Sequence, residues 1–244
     1  MSERVAVVLA AGEGTRMRSS LPKVLHELHG RPLIGWVLAA IEAAGYDRTV
    51  VIIGHKGELV KRAIEDHDVE IAWQREQLGT GHAVLQAQKA LRGSSGQVTV
   101  LSGDVPLVRP ETLAELVRVH KGAGAGATIM TAEFEDPTGY GRIVRGDDGM
   151  VERIVEQKDA TEQEKKIREI NSGTYTFEIE PLFDILPALG NTNASGEYYL
   201  TDVVAELRAR GEAVVPFVVP DVWEIFGINT PEHLALASAH IEER

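Results

Sequence analysis

Apolar runs of strand length alternate with stretches of helical spacing along most of this chain. Residues 5–9 are continuously apolar, a loop of small residues follows, and residues 33–44 then carry apolar side chains at helical spacing. The β-branched run at 49–53 repeats the alternation. This rhythm is typical of a mainly parallel sheet that is covered by helices. We therefore predict an α/β fold with a Rossmann-like, three-layer α/β/α architecture.

The alternation continues through the chain and becomes less regular after Gly141. No linker rich in Pro, Ser or Gly and no internal repeat interrupts it. We therefore predict one domain over residues 1–244. The same patterns predict further strands at 69–73, 98–101, 127–132, 143–144, 151–155, 174–177 and 214–219, and further helices at 59–64, 82–91, 110–120, 160–167, 200–210 and 232–243.

The composition narrows the class of protein. The chain has no cysteine, which excludes disulfides and thiolate metal sites and fits a reducing cytoplasm. The formal net charge is −12, and no basic patch of the kind that binds nucleic acid is visible along the sequence. The first apolar run is too short to span a bilayer. We expect a cytoplasmic protein with small-molecule partners, and neither nucleic acid nor a membrane among them.

The first predicted strand runs directly into Gly12-Glu13-Gly14-Thr15-Arg16-Met17. Small residues at the carboxyl end of a strand let the backbone approach a ligand, and successive N–H groups can hold phosphate oxygens. A dinucleotide-binding loop would need a third glycine where Met17 stands, and a Walker loop would need Gly-Lys-Ser/Thr. Since neither common loop fits, we predict a phosphate-binding loop of another kind.

Arg16 and Lys23 can supply the positive charge that such a loop needs. The Arg16 guanidinium can grip phosphate oxygens through several donors in a fixed geometry. Lys23 follows Pro22 and adds a compact charge. The alternative is a surface turn with solvated basic side chains, and we favour that interpretation for Arg18. We predict that Arg16 and Lys23 contact phosphates, and the resemblance described next implies that they are the catalytic residues.

This loop, followed by Leu21-Pro22-Lys23, resembles the signature of the sugar-phosphate nucleotidyltransferases. Further segments resemble, over essentially the whole chain, the uridyltransferase domain of the bifunctional bacterial N-acetylglucosamine-1-phosphate uridyltransferase/glucosamine-1-phosphate acetyltransferases. The resemblance implies an α/β fold of the nucleotide-diphospho-sugar transferase type. The segments that carry it lie at 74–83, 101–107, 136–143, 154–160, 170–173, 196–202 and 227–229.

A glycine turn near residue 80 is the candidate site for the nucleotide base. Taken alone, it is a good helix start with Thr80 as a possible N-cap. The resemblance assigns Gln74, Gly79 and Thr80 to the uracil, and a side-chain amide can both donate to and accept from the edge of that base. The resemblance also implies that the backbone of Leu9, Ala10, Ala11 and Gly12 approaches the nucleotide.

Asp104 is the candidate metal ligand. It follows a predicted buried strand directly and lies between Gly103 and Pro106. The carboxyl end of that strand should face the same crevice as the glycine loop, and magnesium prefers a few carboxylates together with substrate phosphates. An ordinary aspartate in a turn is the alternative. The resemblance adds Asn229 as the second ligand of Mg²⁺.

The resemblance assigns the sugar to Gly141, Glu156 and Asn171. A carboxylate can accept hydrogen bonds from sugar hydroxyls, and an asparagine amide can both donate and accept. The sequence departs from the family at two neighbouring positions. Ser102 stands where the family often has tyrosine, and Gln157 stands where a histidine often follows the glutamate. Neither change affects a predicted ligand.

The activity implied by the resemblance is uridylyl transfer from UTP to N-acetylglucosamine-1-phosphate. The products would be UDP-N-acetylglucosamine, for cell-wall precursor synthesis, and pyrophosphate. The family's acetyltransferase half is a left-handed β-helix of hexapeptide repeats, and residues 1–244 contain no such repeat. We therefore expect no acetyl transfer from this chain, and a trimer built by the β-helix is in doubt.

Two alternatives stay open at this point. One keeps the fold and changes the nucleotide or the sugar phosphate. The other is a nucleotide-binding regulatory module without turnover, and the presence of Arg16, Lys23, Asp104 and Asn229 argues against it. The histidines near the loop, His26 and His29, are expected to have structural roles.

Overall fold

A computed structural model describes residues 3–243 of the protein, and it contains one large mixed sheet and one small hairpin. The strands are β1 (Glu3–Ala10), β2 (Glu27–Leu28), β3 (Arg31–Pro32), β4 (Arg48–Ile53), β5 (Glu70–Trp73), β6 (Gly96–Ser102), β7 (Ala127–Glu133), β8 (Arg142–Arg145), β9 (Val151–Val155), β10 (Glu169–Glu178) and β11 (Val214–Val218). The helices are α1 (Leu33–Ala43), α2 (Gly57–Ala63), α3 (Thr80–Leu85), α4 (Pro110–Ala123), α5 (Ile179–Ile185), α6 (Asp202–Ala209) and α7 (Pro231–Glu242).

The large sheet is mainly parallel, as the alternating pattern predicted. Its central strands have the order β11-β7-β10-β6-β1-β4-β5, while β8 pairs with β10 and β9 outside this path. β1 runs parallel to β4 on one side and to β6 on the other, so that Val7 lies opposite both Val50 and Val100. β10 is antiparallel to both β6 and β7. β1 is therefore an interior strand with parallel neighbours on both sides.

Helices cover both faces of this sheet, which confirms the three-layer architecture. Val5 and Val7 belong to a buried cluster that includes side chains of α3, α5 and α6. Ala6 and Val8 point the other way, into a cluster that includes side chains of α1, α2 and α4. A strand buried on both faces is continuously apolar, as this one is. No helix within residues 3–243 has the length and apolarity needed to cross a bilayer.

Several boundaries differ from the predicted ones. The predicted helix at 160–167 is wrong, because only the short 3-10 turn Glu164–Lys166 forms there. The Glu164 carboxylate accepts a hydrogen bond from the Thr161 amide at 2.8 Å and pairs with Arg153 at 2.6 Å. These side-chain contacts order the segment without a helical backbone. The predicted helix at 82–91 is divided into α3 and the 3-10 turn Gln86–Lys89. The pattern also missed α5, which is short and contains Pro181.

β10 begins five residues before the predicted strand at 174–177, at Glu169. Its pairing with β7 is interrupted between Asn171 and Tyr175, where the register shifts. Such an irregularity bends a strand and changes the direction of its side chains. Asn171, Ser172 and Gly173 therefore lie within an irregular part of a sheet strand.

The buried face of β6 should account for a large part of the stability. Leu101 is fully buried between the sheet and its helices, so Leu101→Ala removes a large side chain from a packed site. We expect the variant to lose about 2–5 kcal/mol in the free energy of unfolding, measured by urea denaturation. Leu236→Ala is the control, because Leu236 is 53% exposed and should change that free energy by less than about 0.5 kcal/mol. Equal losses in the two variants would contradict the assignment of the core.

Candidate active site

The carboxyl ends of neighbouring parallel strands meet at one edge of the sheet. The Gly103 amide, just after β6, donates to the Leu9 carbonyl of β1 at 2.9 Å. The His55 amide, after β4, donates to the Ala11 carbonyl at 3.1 Å. These backbone bonds hold the loops that follow β1, β4 and β6 against one another. This edge is the usual ligand site of an open α/β sheet.

The glycine loop folds back onto Lys23. Gly14 has a φ of 65°, and a Cβ atom at Gly14 would lie 2.6 Å from the Cβ of Lys23. The 3-10 turn Thr15–Met17 follows and carries Arg16, while Lys23 begins the turn Lys23–Leu25. Glycine at position 14 is therefore required both by the left-handed backbone and by the close approach of Lys23.

Four residues that are distant in the sequence form one charged cluster. The Lys23 ammonium donates to the Asp104 carboxylate and, at 3.0 Å, to the Asn229 side-chain oxygen. The Arg16 guanidinium donates to the same Asn229 oxygen at 2.9 Å. Asp104 is only 4% exposed, so its charge is nearly removed from water and depends on Lys23. The structure brings together both predicted phosphate contacts and both predicted metal ligands.

The oxygen atoms of Asp104 and Asn229 suit a hard divalent cation. A carboxylate oxygen and an amide oxygen converge on a single positive group, the Lys23 ammonium. Residues 3–243 contain no group of three or more His, Asp or Glu side chains placed to hold a metal by themselves. A pair of oxygen ligands with room for phosphate oxygens is the arrangement that Mg²⁺ prefers. The donor set therefore fits this metal.

A cavity of about 250 Å³ lies beside this cluster and is bordered by the glycine loop. It also reaches the start of α3 and the end of β5. Gln77, which belongs to the segment that the resemblance assigns to the uracil, contributes to its wall. Glu197 also contributes, and no sequence argument assigned it a role. All the residues predicted to bind the nucleotide line this cavity, namely Leu9, Ala10, Ala11, Gly12, Gln74, Gly79 and Thr80.

Gln74 is held in place before any ligand arrives. Its side chain is buried, and its amide nitrogen lies 3.0 Å from the Gly79 carbonyl and 3.1 Å from Nδ1 of His82. The sequence suggested Thr80 as an N-cap of α3, but its hydroxyl makes no capping hydrogen bond. It accepts a hydrogen bond from the Leu200 amide at 3.0 Å instead. His82 therefore positions Gln74, a role that its place in a helix did not reveal.

A second cavity, of about 390 Å³, adjoins the first and shares Leu9, Thr80 and Ser102 with it. The charged cluster lies at this junction, since Lys23 borders the first cavity and its partners border the second. The sequence did not predict several residues in the wall of the second cavity. Tyr140 nevertheless lies inside the motif at 136–143, and Tyr175 lies just after the motif at 170–173. This wall includes Arg16, Asp104, Asn229, Thr138, Gly139, Tyr140, Ser172, Gly173, Tyr175 and His233.

The predicted sugar-binding residues lie together directly behind the second cavity. The backbone amide of Asn171 donates to the Gly141 carbonyl at 2.9 Å. A Cβ atom at Gly141 would lie 3.5 Å from a carboxylate oxygen of Glu156. The Asn171 side chain donates to the Tyr175 hydroxyl at 2.7 Å. The three residues are therefore brought together by β8, β9 and β10, and Tyr175 connects them to the cavity.

Glu156 lies in an environment that disfavours its charge. Burial raises the pKa of its carboxyl, although a hydrogen bond from Thr201 acts in the opposite direction. The nearby carboxylates of Asp159, Asp202 and Glu197 raise this pKa further. A carboxylate kept here against that cost is available as a strong hydrogen-bond acceptor.

The fold and the site define an α/β protein with a charged cluster and two adjoining cavities at the carboxyl edge of its parallel strands. The chain belongs to the nucleotidyl transferase family, because the family model described as "Nucleotidyl transferase" matches residues 5–243. A search of solved structures finds the same architecture in "UDP-glucose pyrophosphorylase complexed with UDP-glucose", with a TM-score of 0.78. That match covers 100% of both chains at 19% identity, which confirms the fold.

Curated relatives carry the name "Bifunctional protein GlmU". The relative from Halalkalibacterium halodurans is 52% identical over 239 residues, which are 98% of this chain and 52% of the relative. The relative from Heliobacterium modesticaldum is 50% identical over 244 residues, covering 100% of this chain and 53% of the relative. The chain thus spans about half the length of the curated relatives it matches. This similarity confirms the resemblance to the bifunctional bacterial family that the motifs indicated.

The contact between Gly14 and Lys23 can be tested with a matched pair of glycines. Gly14→Ala and Gly93→Ala both place alanine at a positive φ, but a Cβ atom meets nothing within 4 Å at Gly93. We expect Gly93→Ala to lose about 1–2 kcal/mol of folding stability from its left-handed backbone, and Gly14→Ala to lose more because its Cβ atom also clashes with Lys23. Only Gly14→Ala should also weaken the binding of a nucleoside triphosphate, by about tenfold, because Lys23 must move. Calorimetric titration measures this, and equal affinities in the two variants would contradict the proposed geometry.

Proposed function

We propose that this chain catalyses uridylyl transfer from UTP to N-acetylglucosamine-1-phosphate, forming UDP-N-acetylglucosamine and pyrophosphate for cell-wall precursor synthesis. One observation carries the proposal: Arg16, Lys23, Asp104 and Asn229 converge where two cavities meet. A transfer between two bound molecules needs its charged groups at such a junction. The similarity to the GlmU proteins supports this choice of substrates.

Asp104 and Asn229 would hold a Mg²⁺ ion, as their converging oxygen atoms suggest. When bound, this ion supplies positive charge that neutralises phosphate oxygens. Lys23 is the residue that must respond, because its ammonium now occupies the space between the two ligands. Released from Asp104, Lys23 can turn toward a substrate phosphate while remaining at the junction of the cavities.

The reaction itself needs little from the protein beyond position and charge. A phosphate oxygen of the sugar-1-phosphate attacks the α-phosphorus of UTP, and the bond from that phosphorus to pyrophosphate breaks. The attacking oxygen is already anionic, so no general base is required. Arg16 and Lys23 neutralise the phosphates, and the glycine loop holds them through its backbone. Catalysis therefore rests on orientation and on charge stabilisation.

Gln74 would select the base. Because its amide nitrogen is held by the Gly79 carbonyl and by Nδ1 of His82, its side-chain oxygen is left as a fixed acceptor at the first cavity. Uracil and cytosine carry opposite patterns on the edge that such an amide contacts, so one fixed amide can distinguish them. This preorganisation supports UTP as the nucleotide.

The N-acetylated sugar would lie in the second cavity, with Gly141, Glu156 and Asn171 directly behind its wall. The Glu156 carboxylate can accept hydrogen bonds from the sugar hydroxyls, and the Gly141 backbone approaches without a side chain in the way. We propose that residues 1–244 act as one nucleotidyltransferase unit, and the continuous sheet through residues 3–243 supports this. A cytoplasmic location is also proposed, on the absence of cysteine.

Pyrophosphate release is the direct test of the proposed function. The purified protein is mixed with Mg²⁺, N-acetylglucosamine-1-phosphate and UTP, with parallel reactions containing CTP, ATP, GTP or TTP and one containing EDTA. We expect release with UTP alone and none with EDTA. Release with another nucleotide would overturn the role of Gln74. Tight UTP binding without release would indicate a nucleotide-binding module instead of an enzyme.

Removing either half of the Lys23–Asp104 pair should abolish most of the turnover. We expect Lys23→Ala and Asp104→Ala each to lower kcat by about 10²–10³, because each deletes a charged group at the transferred phosphate. Circular dichroism should show that both variants remain folded. Lys121→Ala, which removes an exposed lysine at the end of α4, is the control and should keep normal kcat. Near-normal turnover in either variant would refute the assignment.

Glu156→Gln should raise the stability of the protein and weaken its binding of the sugar phosphate. The raised pKa means that the native state favours the protonated carboxyl, so the wild type loses stability as pH rises through that pKa. The variant should therefore unfold a few degrees higher at pH 7. The difference should disappear below about pH 4, where glutamate is protonated in both states. The KM for the sugar phosphate should rise by about tenfold. A variant with a lower unfolding midpoint at pH 7 would contradict this account.

A further inference from the structure

Arg142 is a buried arginine whose hydrogen bonds go to neutral oxygens. Its side chain is 1% exposed and donates to the Tyr140 carbonyl and, at 2.8 Å, to the side-chain oxygen of Gln157. Burial lowers the pKa of its guanidinium, and the nearby Asp136 carboxylate, which makes no hydrogen bond to it, acts in the opposite direction. A buried charge is costly for a fold, and hydrogen bonds to neutral groups offset only part of that cost. Packing alone therefore does not explain an arginine at this position.

The hydrogen bonds of Arg142 and Gln157 meet at one short stretch of backbone, residues 139–140. Gln157 also accepts a hydrogen bond from the Gly139 amide at 3.2 Å. The Gly139 amide and the Tyr140 carbonyl are thus both tied to the Arg142–Gln157 pair. Residues 138–140 border the second cavity, as Asp104 does, and we call them the 138–140 wall. The ring of Tyr140 packs edge-on against Phe134, with centroids 5.1 Å apart.

Arg142 also lies between the strands that carry the sugar-binding residues. Within the sheet it pairs with Val155 of β9 and Ile170 of β10. The next residues along those strands are Glu156 and Asn171. The side chain of Arg142 therefore connects the backbone of the 138–140 wall to the residue that follows Glu156. A shift of Gln157 would move the wall relative to Glu156 and Asn171.

We propose that Arg142 and Gln157 are positioning residues that set the affinity for the sugar phosphate by fixing the 138–140 wall. This inference rests on the proposed function, because it names the second cavity as the place of the sugar phosphate. Neither residue touches the reacting atoms. If the two residues were purely structural, their loss would lower stability and would change the affinities for UTP and for the sugar phosphate to the same extent.

Variants of Gln157 test the proposal, because this side chain is only partly buried and its loss is easier to tolerate than that of Arg142. Gln157→Leu removes the acceptor shared by Arg142 and Gly139. We expect the KM for N-acetylglucosamine-1-phosphate to rise by about tenfold, with kcat and the KM for UTP changed less than about twofold. Gln157→Glu keeps an acceptor and should behave like the wild type. Arg145→Gln, on the same strand as Arg142, is the control.

Amide hydrogen exchange of Gly139, followed by NMR without substrate, tests the geometry independently of turnover. Exchange should be about tenfold faster in Gln157→Leu than in the wild type and unchanged in Gln157→Glu. Unchanged exchange in Gln157→Leu would overturn this inference but not the proposed function. A normal KM for the sugar phosphate despite faster exchange would do the same. No turnover by the wild type would overturn the proposed function and this inference with it. Equal rises in KM for both substrates would show a structural role only, and would also refute the inference.

Discussion

The parallel pairing of β1 with both β4 and β6 is the constraint on which the rest of the structure depends. Because all three strands point the same way, the loops that follow them emerge at one edge of the sheet. The backbone bonds from Gly103 to Leu9 and from His55 to Ala11 then hold these loops in contact. The glycine loop, Asp104 and the entrance to the first cavity are neighbours for this reason, although they are far apart in the sequence.

The charged cluster at that edge couples folding to ligand binding. Asp104 is nearly buried, and a buried carboxylate needs a compensating charge. Lys23 supplies that charge in this structure, and under the proposed function the same ammonium would neutralise the substrate phosphates. A bound cation and bound phosphates would together replace what the ion pair provides. Under the proposed function, the charges of the site would be balanced both before and after binding.

The proposed sugar side of the site is built differently, from charged groups whose burial costs stability. Burial and neighbouring carboxylates disfavour the charge of Glu156, and burial disfavours that of Arg142. Both residues lie on the irregular strands β8 and β9 or at their ends, outside the regular parallel part of the sheet. A regular sheet edge can supply phosphate contacts from its backbone, but recognition of a sugar requires side chains at particular positions. The less regular half of the sheet provides those positions.

The sequence by itself determined the mainly parallel sheet and pointed to the glycine loop and to Arg16, Lys23 and Asp104, which the structure places at one edge of that sheet. Apolar runs, glycine spacing and a charge after a strand are local signals, and the local backbone conformation follows from them. Only the tertiary structure decided the register shift in β10, the helix α5, the irregular segment at 160–167 and the links from His82 to Gln74 and from Arg142 to Gln157. These features depend on which distant groups compete for each hydrogen bond and each buried surface, and no short window of sequence contains that information.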